Sequence, residues 1–156
     1  MPTIKERLSK DHEQHERLLQ GLAHAVEARV SPENLRRSWL RFERSVLDHL
    51  EAEEHSLFSV FSQVHGGEIL ALRSEHRRIR YAVIELSVSV ELHTVKKSAI
   101  DSLMSLLREH VEHEDRTLHE WLEKDEGISS RRAILAMLAR RAHAAEQLDG
   151  SDAHVE

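Results

Sequence analysis

The run Phe42-Glu43-Arg44-Ser45-Val46-Leu47-Asp48-His49-Leu50-Glu51-Ala52-Glu53-Glu54-His55-Ser56-Leu57 decides the fold of this chain. Its apolar face begins at Leu35 and Trp39, passes through Phe42 and Val46, and resumes at Leu57, Val60 and Val64. Those steps of three and four residues are the period of a helix with one buried face. The residues that carry the same face across its middle are His49 and Glu53, one turn apart. The stretch therefore predicts a long helix whose buried stripe is apolar at both ends and polar at its centre.

A second stretch repeats the design. Its stripe reads Ile100, Leu103, Leu107, His110, Glu114, Leu118 and Trp121. Chance at this composition gives about two His-x-x-x-Glu pairs in the chain. There are four, and only His49/Glu53 and His110/Glu114 have both members on a stripe. Two further helices each carry one interrupted stripe. The first reads Ile4, Leu8, His12, His15, Leu19, Leu22 and Val26; the other reads Ile69, Leu72, His76, Ile79, Val83, Leu86 and Val90. Asp11-His12 precedes the first His-x-x-x-Glu as Glu75-His76 precedes the second, so the two halves of the chain read as a duplication. The remaining histidines, His119 among them, fall off these stripes and read as surface residues.

The punctuation divides the chain into helices with short connections. The first runs from an N-cap at Thr3 to about Arg29. Ser31-Pro32 opens the second, which reaches about Val64. His65-Gly66-Gly67 reads as a stop, and the third helix follows from Glu68 to about Val90. Ser98 with Asp101 reads as a capping box for the fourth, which ends near Lys124. A fifth helix from Ser129 or Ser130 to about Leu148 reads as an appendage. The expected architecture is all-α: an up-down four-helix bundle over residues 1–127 with an additional C-terminal helix and polar tail over 128–156, packed on or beside it.

At 156 residues the chain has enough length for one sizeable core. It has no cysteine, which excludes disulfides, thiolate metal sites and a cysteine nucleophile. A formal charge of −6 argues against a dedicated nucleic-acid binder. No run approaches the roughly 18–20 apolar residues of a membrane span, and the N-terminus lacks a secretory apolar core, so the chain reads as cytoplasmic. The excess is in histidine, 13 in all. A carboxylate inside a bundle is costly unless paired or coordinated, and two buried together repel. A divalent cation between them removes both problems. A hydrogen-bonded polar layer that sets the register of the bundle is the alternative.

The ordered set Asp11-His12, His49 with Glu53 and Glu54, Glu75-His76, and His110 with Glu114 and Asp115 resembles the haemerythrin-like family, the HHE cation-binding domains, over about residues 3–124. The resemblance implies a non-haem di-iron site in the core of the bundle and binding of O2, NO or peroxide. It implies that His12 and His49 hold one iron, that His76 and His110 hold the other, and that Glu53 and Glu114 bridge them. The chain departs from the family pattern at the third helix. Where a second histidine belongs one turn from His76, the neighbours are Leu72, Ile79 and Arg80. His15 is a candidate further ligand or outer partner, and Arg80 a candidate donor to a bound anion.

Two irons are expected, with one as the lesser expectation. The imidazole and carboxylate donors suit manganese or zinc as well. The expected role is sensing, storage or detoxification of a small diatomic ligand or peroxide, with peroxide consumption as the candidate activity. The competing expectation is a degenerate, metal-poor helical interaction or regulatory domain. The oligomeric state is open.

Overall fold

A computed structural model describes residues 3–124. Six α-helices lie in this span: α1 (Ile4–Glu27), α2 (Pro32–His55), α3 (Leu57–Phe61), α4 (Gly66–Glu91), α5 (Lys97–Arg116) and α6 (Leu118–Glu123). α1 packs on α2 and α5, and α4 packs on the same two, so the four long helices form a square in section. Short connections make chain neighbours antiparallel, which gives the up-down bundle. No strand occurs among the described residues. None of the described helices is long and apolar enough to cross a membrane. The expected fifth helix and the 128–156 segment lie outside the described residues.

Local chemistry sets the helix ends. Thr3 accepts from the Glu6 backbone N–H while the Glu6 carboxylate accepts from the Thr3 N–H, a complete capping box. Thr3→Ala is expected to cost about 1 kcal/mol, read by urea unfolding. Ser31 caps α2, with Pro32 at its first position. α1 and α4 both run out into a residue of positive φ, Arg29 at 52° and His93 at 57°. Each lies the same distance along the chain from the histidine at the middle of its helix, His12 or His76, so the duplication extends to the backbone.

Four boundaries differ from the reading of the sequence. Gly66 and Gly67 form the first turn of α4 rather than a stop; with open space around both, neither glycine is required by packing. α5 begins at Lys97, and no side chain caps it; Lys97 instead pairs with Asp101, one turn on. The second and fourth helices are each broken, at Ser56 and at Thr117. These residues sit three past Glu53 and Glu114. Each turns its hydroxyl back on the carbonyl one turn earlier, Ser56 on Ala52 and Thr117 on His113. Such back-bonding bends helices. Val64, beyond the first break, is exposed rather than on the stripe.

The core is in two parts. At one end Leu19, Leu22, Trp39, Phe42, Val46, Val83, Leu86, Ile100 and Leu103 pack together. At the other, Ile4, Leu8, Leu57, Phe58, Phe61, Leu72, Leu118 and Trp121 do so. Each buried Leu, Ile or Phe side chain contributes roughly 1.5–3 kcal/mol of hydrophobic stabilisation. Trp39 satisfies its indole N–H on Ser87, whose hydroxyl in turn donates to Glu43. The interrupted middles of the four stripes meet between the two clusters.

Candidate metal centre

His12 on α1, His49 and Glu53 on α2, His76 on α4, and His110 and Glu114 on α5 come together at one level of the bundle. Glu53, His76 and Glu114 have no exposed surface, and His49 and His110 have almost none. The ligand atoms form two groups of four. His12, His49, Glu53 and Glu114 make one; His76, His110, Glu53 and Glu114 make the other, and within each group every atom lies within 4.8 Å of the rest. The carboxylates are common to both.

Each carboxylate divides its oxygens between the two halves. Glu53 Oε1 is 2.7 Å from His49 Nε2 and 3.9 Å from His12 Nε2, while its Oε2 is 3.2 Å from His76 Nε2. Glu114 Oε2 is 3.3 Å from His12 Nε2, while its Oε1 faces the Nε2 atoms of His110 and His76. The ring nitrogens also converge pairwise, His12 Nε2 on His49 Nε2 at 3.1 Å and His76 Nε2 on His110 Nε2 at 3.0 Å.

These contacts are short, yet none of the four carboxylate oxygens has a hydrogen bond of acceptable geometry. Buried carboxylates in native proteins are normally satisfied. Here the ring nitrogens and carboxylate oxygens of each group crowd within 4.8 Å of one another while the carboxylate oxygens stay unsatisfied. That is the arrangement a cation requires, and imidazole with carboxylate is a donor set for a divalent transition metal. The residues fit a metal, and the bundle core is a cation-binding site of His and Glu ligands.

The outer ring nitrogens are held by acids from neighbouring helices. His49 Nδ1–H donates to Asp11 at 3.0 Å, His76 Nδ1–H to Glu54 at 2.9 Å, and His110 Nδ1–H to Glu75 at 3.2 Å. Such partners fix the tautomer that leaves Nε2 free to ligate. Arg80 makes a two-pronged bond to Glu54, at 2.6 and 3.0 Å. It is thus directed at an acid that holds a ligand, not into the centre. His15 is buried and bonds through Nε2 to Ser45 at 3.0 Å, outside both ligand groups. Burial, with His49 alongside, holds its pKa down at about 3, so it is neutral.

The electrostatics of the metal-free centre are those of a protonated cluster. Burial opposes charge on His49, His76 and His110, but the carboxylates outweigh it. They raise His76 to about 10 and His110 to about 9, and they raise His49 well above 6.5. Burial pushes both glutamates up, and for Glu53 the nearby Glu114 adds to that push. The histidines nonetheless bring Glu53 down and Glu114 well down. Burial likewise opposes charge on Glu54, yet His76 and Arg80 bring it to about 2.

The two halves differ in their surroundings. On one side Phe58 packs against His76 with ring centroids 4.8 Å apart, and Leu72 and Ile79 are fully buried. On the other a cavity of about 400 Å³ between α1 and α5 reaches His12, His15 and His49, and also His110 of the second group. Arg108 and Glu16, both among its lining residues, pair across it at 2.7 Å.

His119 is the residue that reading the stripes missed. Read as a surface histidine, it is 1% exposed and lies beside His12, with ring centroids 6.3 Å apart. The break at Thr117 turns it inward, and a stripe extrapolated along an unbroken helix cannot show that. The available signal was the internal repeat: His119 follows His110 by the interval at which Phe58 follows His49.

No curated protein and no solved structure matched the chain significantly. The family model of the hemerythrin HHE cation binding domain matches residues 3–122, and with that match over most of its length, on a bundle whose core holds these histidines and glutamates, the chain belongs to the hemerythrin HHE cation-binding domain family.

Proposed function

We propose that the centre holds two irons, one between His12 and His49 and the other between His76 and His110, bridged by Glu53 and Glu114. The observation that carries this is the pair of four-atom ligand groups sharing both carboxylates. Bound there, iron supplies reversible redox chemistry and open coordination positions. Two imidazoles and two carboxylate oxygens give each metal four protein donors, short of six.

The positions that could have completed the His76 side are apolar or committed. Leu72 and Ile79 belong to the core, and Arg80 is held by Glu54. A small diatomic ligand or peroxide fits the remaining space, arriving through the cavity between α1 and α5. Asp11, Glu54 and Glu75 hold the rings in place, and the apolar clusters close the bundle above and below the centre. An open, carboxylate-bridged site suits exchange and turnover more than stable carriage of O2. We therefore place the protein in peroxide detoxification, with sensing or storage as the other roles of the same site, acting in the cytoplasm.

The test is anaerobic loading with Fe(II), desalting and a metal count. About two irons per chain are expected, with a raised melting temperature, because a ligand of the folded state alone must stabilise it. Hydrogen peroxide should then be consumed well above the rate of free iron, by disproportionation to water and O2, which needs no outside reductant. A count near zero would overturn the metal assignment. A full count without peroxide consumption would leave sensing or storage.

A further inference from the structure

The ligands of the centre are two-fold, but their outer partners are not. Asp11, Glu54 and Glu75 each accept the Nδ1–H of a ring ligand. The fourth ring, His12, has a buried Nδ1 with no partner. The internal repeat shows which acid is displaced. Glu54 follows Glu53 and reaches His76; its counterpart after Glu114 is Asp115, one methylene shorter. Asp115 does not reach His12. Its Oδ1 stands instead 2.6 Å from His119 Nδ1, off the N–H direction.

His119 fills the place that Phe58 fills in the other half. Each packs on the ring ligand of the adjoining long helix, and the rings of His119 and His12 are within 19° of parallel. The other half shows that an apolar ring suffices for packing at this place. A buried imidazole with both nitrogens unmatched costs free energy that a phenyl ring would not. His119 Nδ1, His119 Nε2 and His12 Nδ1 are thus three unmatched buried nitrogens side by side.

We propose that Asp115 and His119 act together as the outer partner of His12. Asp115, 2.6 Å from His119 Nδ1, takes its N–H after a small turn of the carboxylate into line, and His119 Nε2 accepts the Nδ1–H of His12 through one bridging water. His119 is a positioning residue in this scheme. A neutral imidazole polarises His12 less than a carboxylate would, so the His12/His49 position binds metal more weakly than the His76/His110 position. The centre therefore loads in two steps, the His76/His110 side first. This rests on the reading of the core as a two-metal site.

Titration of the metal-free full chain with Co(II), followed by its visible absorption, tests it. Wild type should take up two equivalents with separated affinities. His119→Phe, which installs the ring of the other half, should weaken the second step about tenfold and leave the first within about twofold. His119→Gln keeps an acceptor and should recover most of the loss. Metal-free His119→Phe should melt no lower than wild type, which separates the effect from folding. The inference is overturned if His119→Phe leaves both steps unchanged or weakens both alike while wild type still binds two Co(II). If wild type binds no Co(II), the two-metal reading falls, and this inference with it.

Discussion

Glu53→Gln is expected to lose both metals, whereas His12→Ala or His76→Ala loses only one. The difference follows from the division of oxygens: Glu53 Oε1 serves the His12/His49 half and Oε2 the His76 half. A glutamine keeps the size of the side chain. It has one oxygen, no charge, and an NH2 group where a donor atom is needed. The loss of affinity at both positions should exceed the roughly 10–100-fold that removal of an outer partner costs. Glu114→Gln should behave alike, since Glu114 is shared in the same way. The fold should weaken too. Glu53 balances His49 and His76 in the metal-free core, and removing one side of a buried charge pair costs about 3–5 kcal/mol. Metal analysis after desalting and urea unfolding of the metal-free variant check the two parts. Retention of one tightly held metal in Glu53→Gln would show that the carboxylate does not bridge.

The metal-free protein should lose stability as pH rises from about 6.5 towards 9–10, and metal should reverse that trend. His76 at about 10, His110 at about 9 and His49 well above 6.5 all bind protons more tightly in the folded state than in the unfolded chain. Their contribution is complete below the unfolded value of 6.5 and disappears as pH passes the folded values. Glu54 has the opposite sign: held at about 2, it stabilises above its ordinary 4.5 and loses that contribution as pH falls towards 2. His15, held at about 3, has the same sign as Glu54, because below 6.5 the unfolded chain takes up a proton there that the folded chain does not; stability of the metal-free chain should therefore peak near pH 6.5. Metal takes the places of those protons, so its affinity rises with pH and loading releases protons. The melting temperatures of loaded and metal-free protein should draw apart between about pH 6 and 8.5. Unfolding scans across that range, with proton release measured in weak buffer, test this. Parallel curves and no proton release would mean that the histidines are not the groups the metal displaces.

Much of this centre was legible as a violation of pattern. Four stripes keep helical period through His12, His49, Glu53, His76, His110 and Glu114, and period alone says that these side chains face inward. Burial of two acids then demands a counter-charge. The capping at Thr3 and Ser31 was equally readable, because caps are local chemistry. Gly66-Gly67 and Ser98 were misread for the complementary reason: packing of α4 and α5 overrides weak local signals at their first turns. The outer partners were less accessible. That Glu54 turns to His76 and Arg80, while Asp115 turns to His119, depends on which helix stands beside which and on one methylene of reach.

Residue period and charge cost together established an all-α bundle with a polar level in its core, since both act along a single helix. The pairing of carboxylate oxygens with opposite halves came from the packing of four helices into a square. So did the packing of Phe58 on His76 and the cavity that reaches His12, His49 and His110. The inward turn of His119 came from the break at Thr117, where a hydroxyl bonded back to His113 bends the chain. Period propagates along an unbroken helix; past a bend the buried face widens, so Leu118 and Trp121 stay buried while His119 joins them, and period says nothing of the neighbour across the bundle.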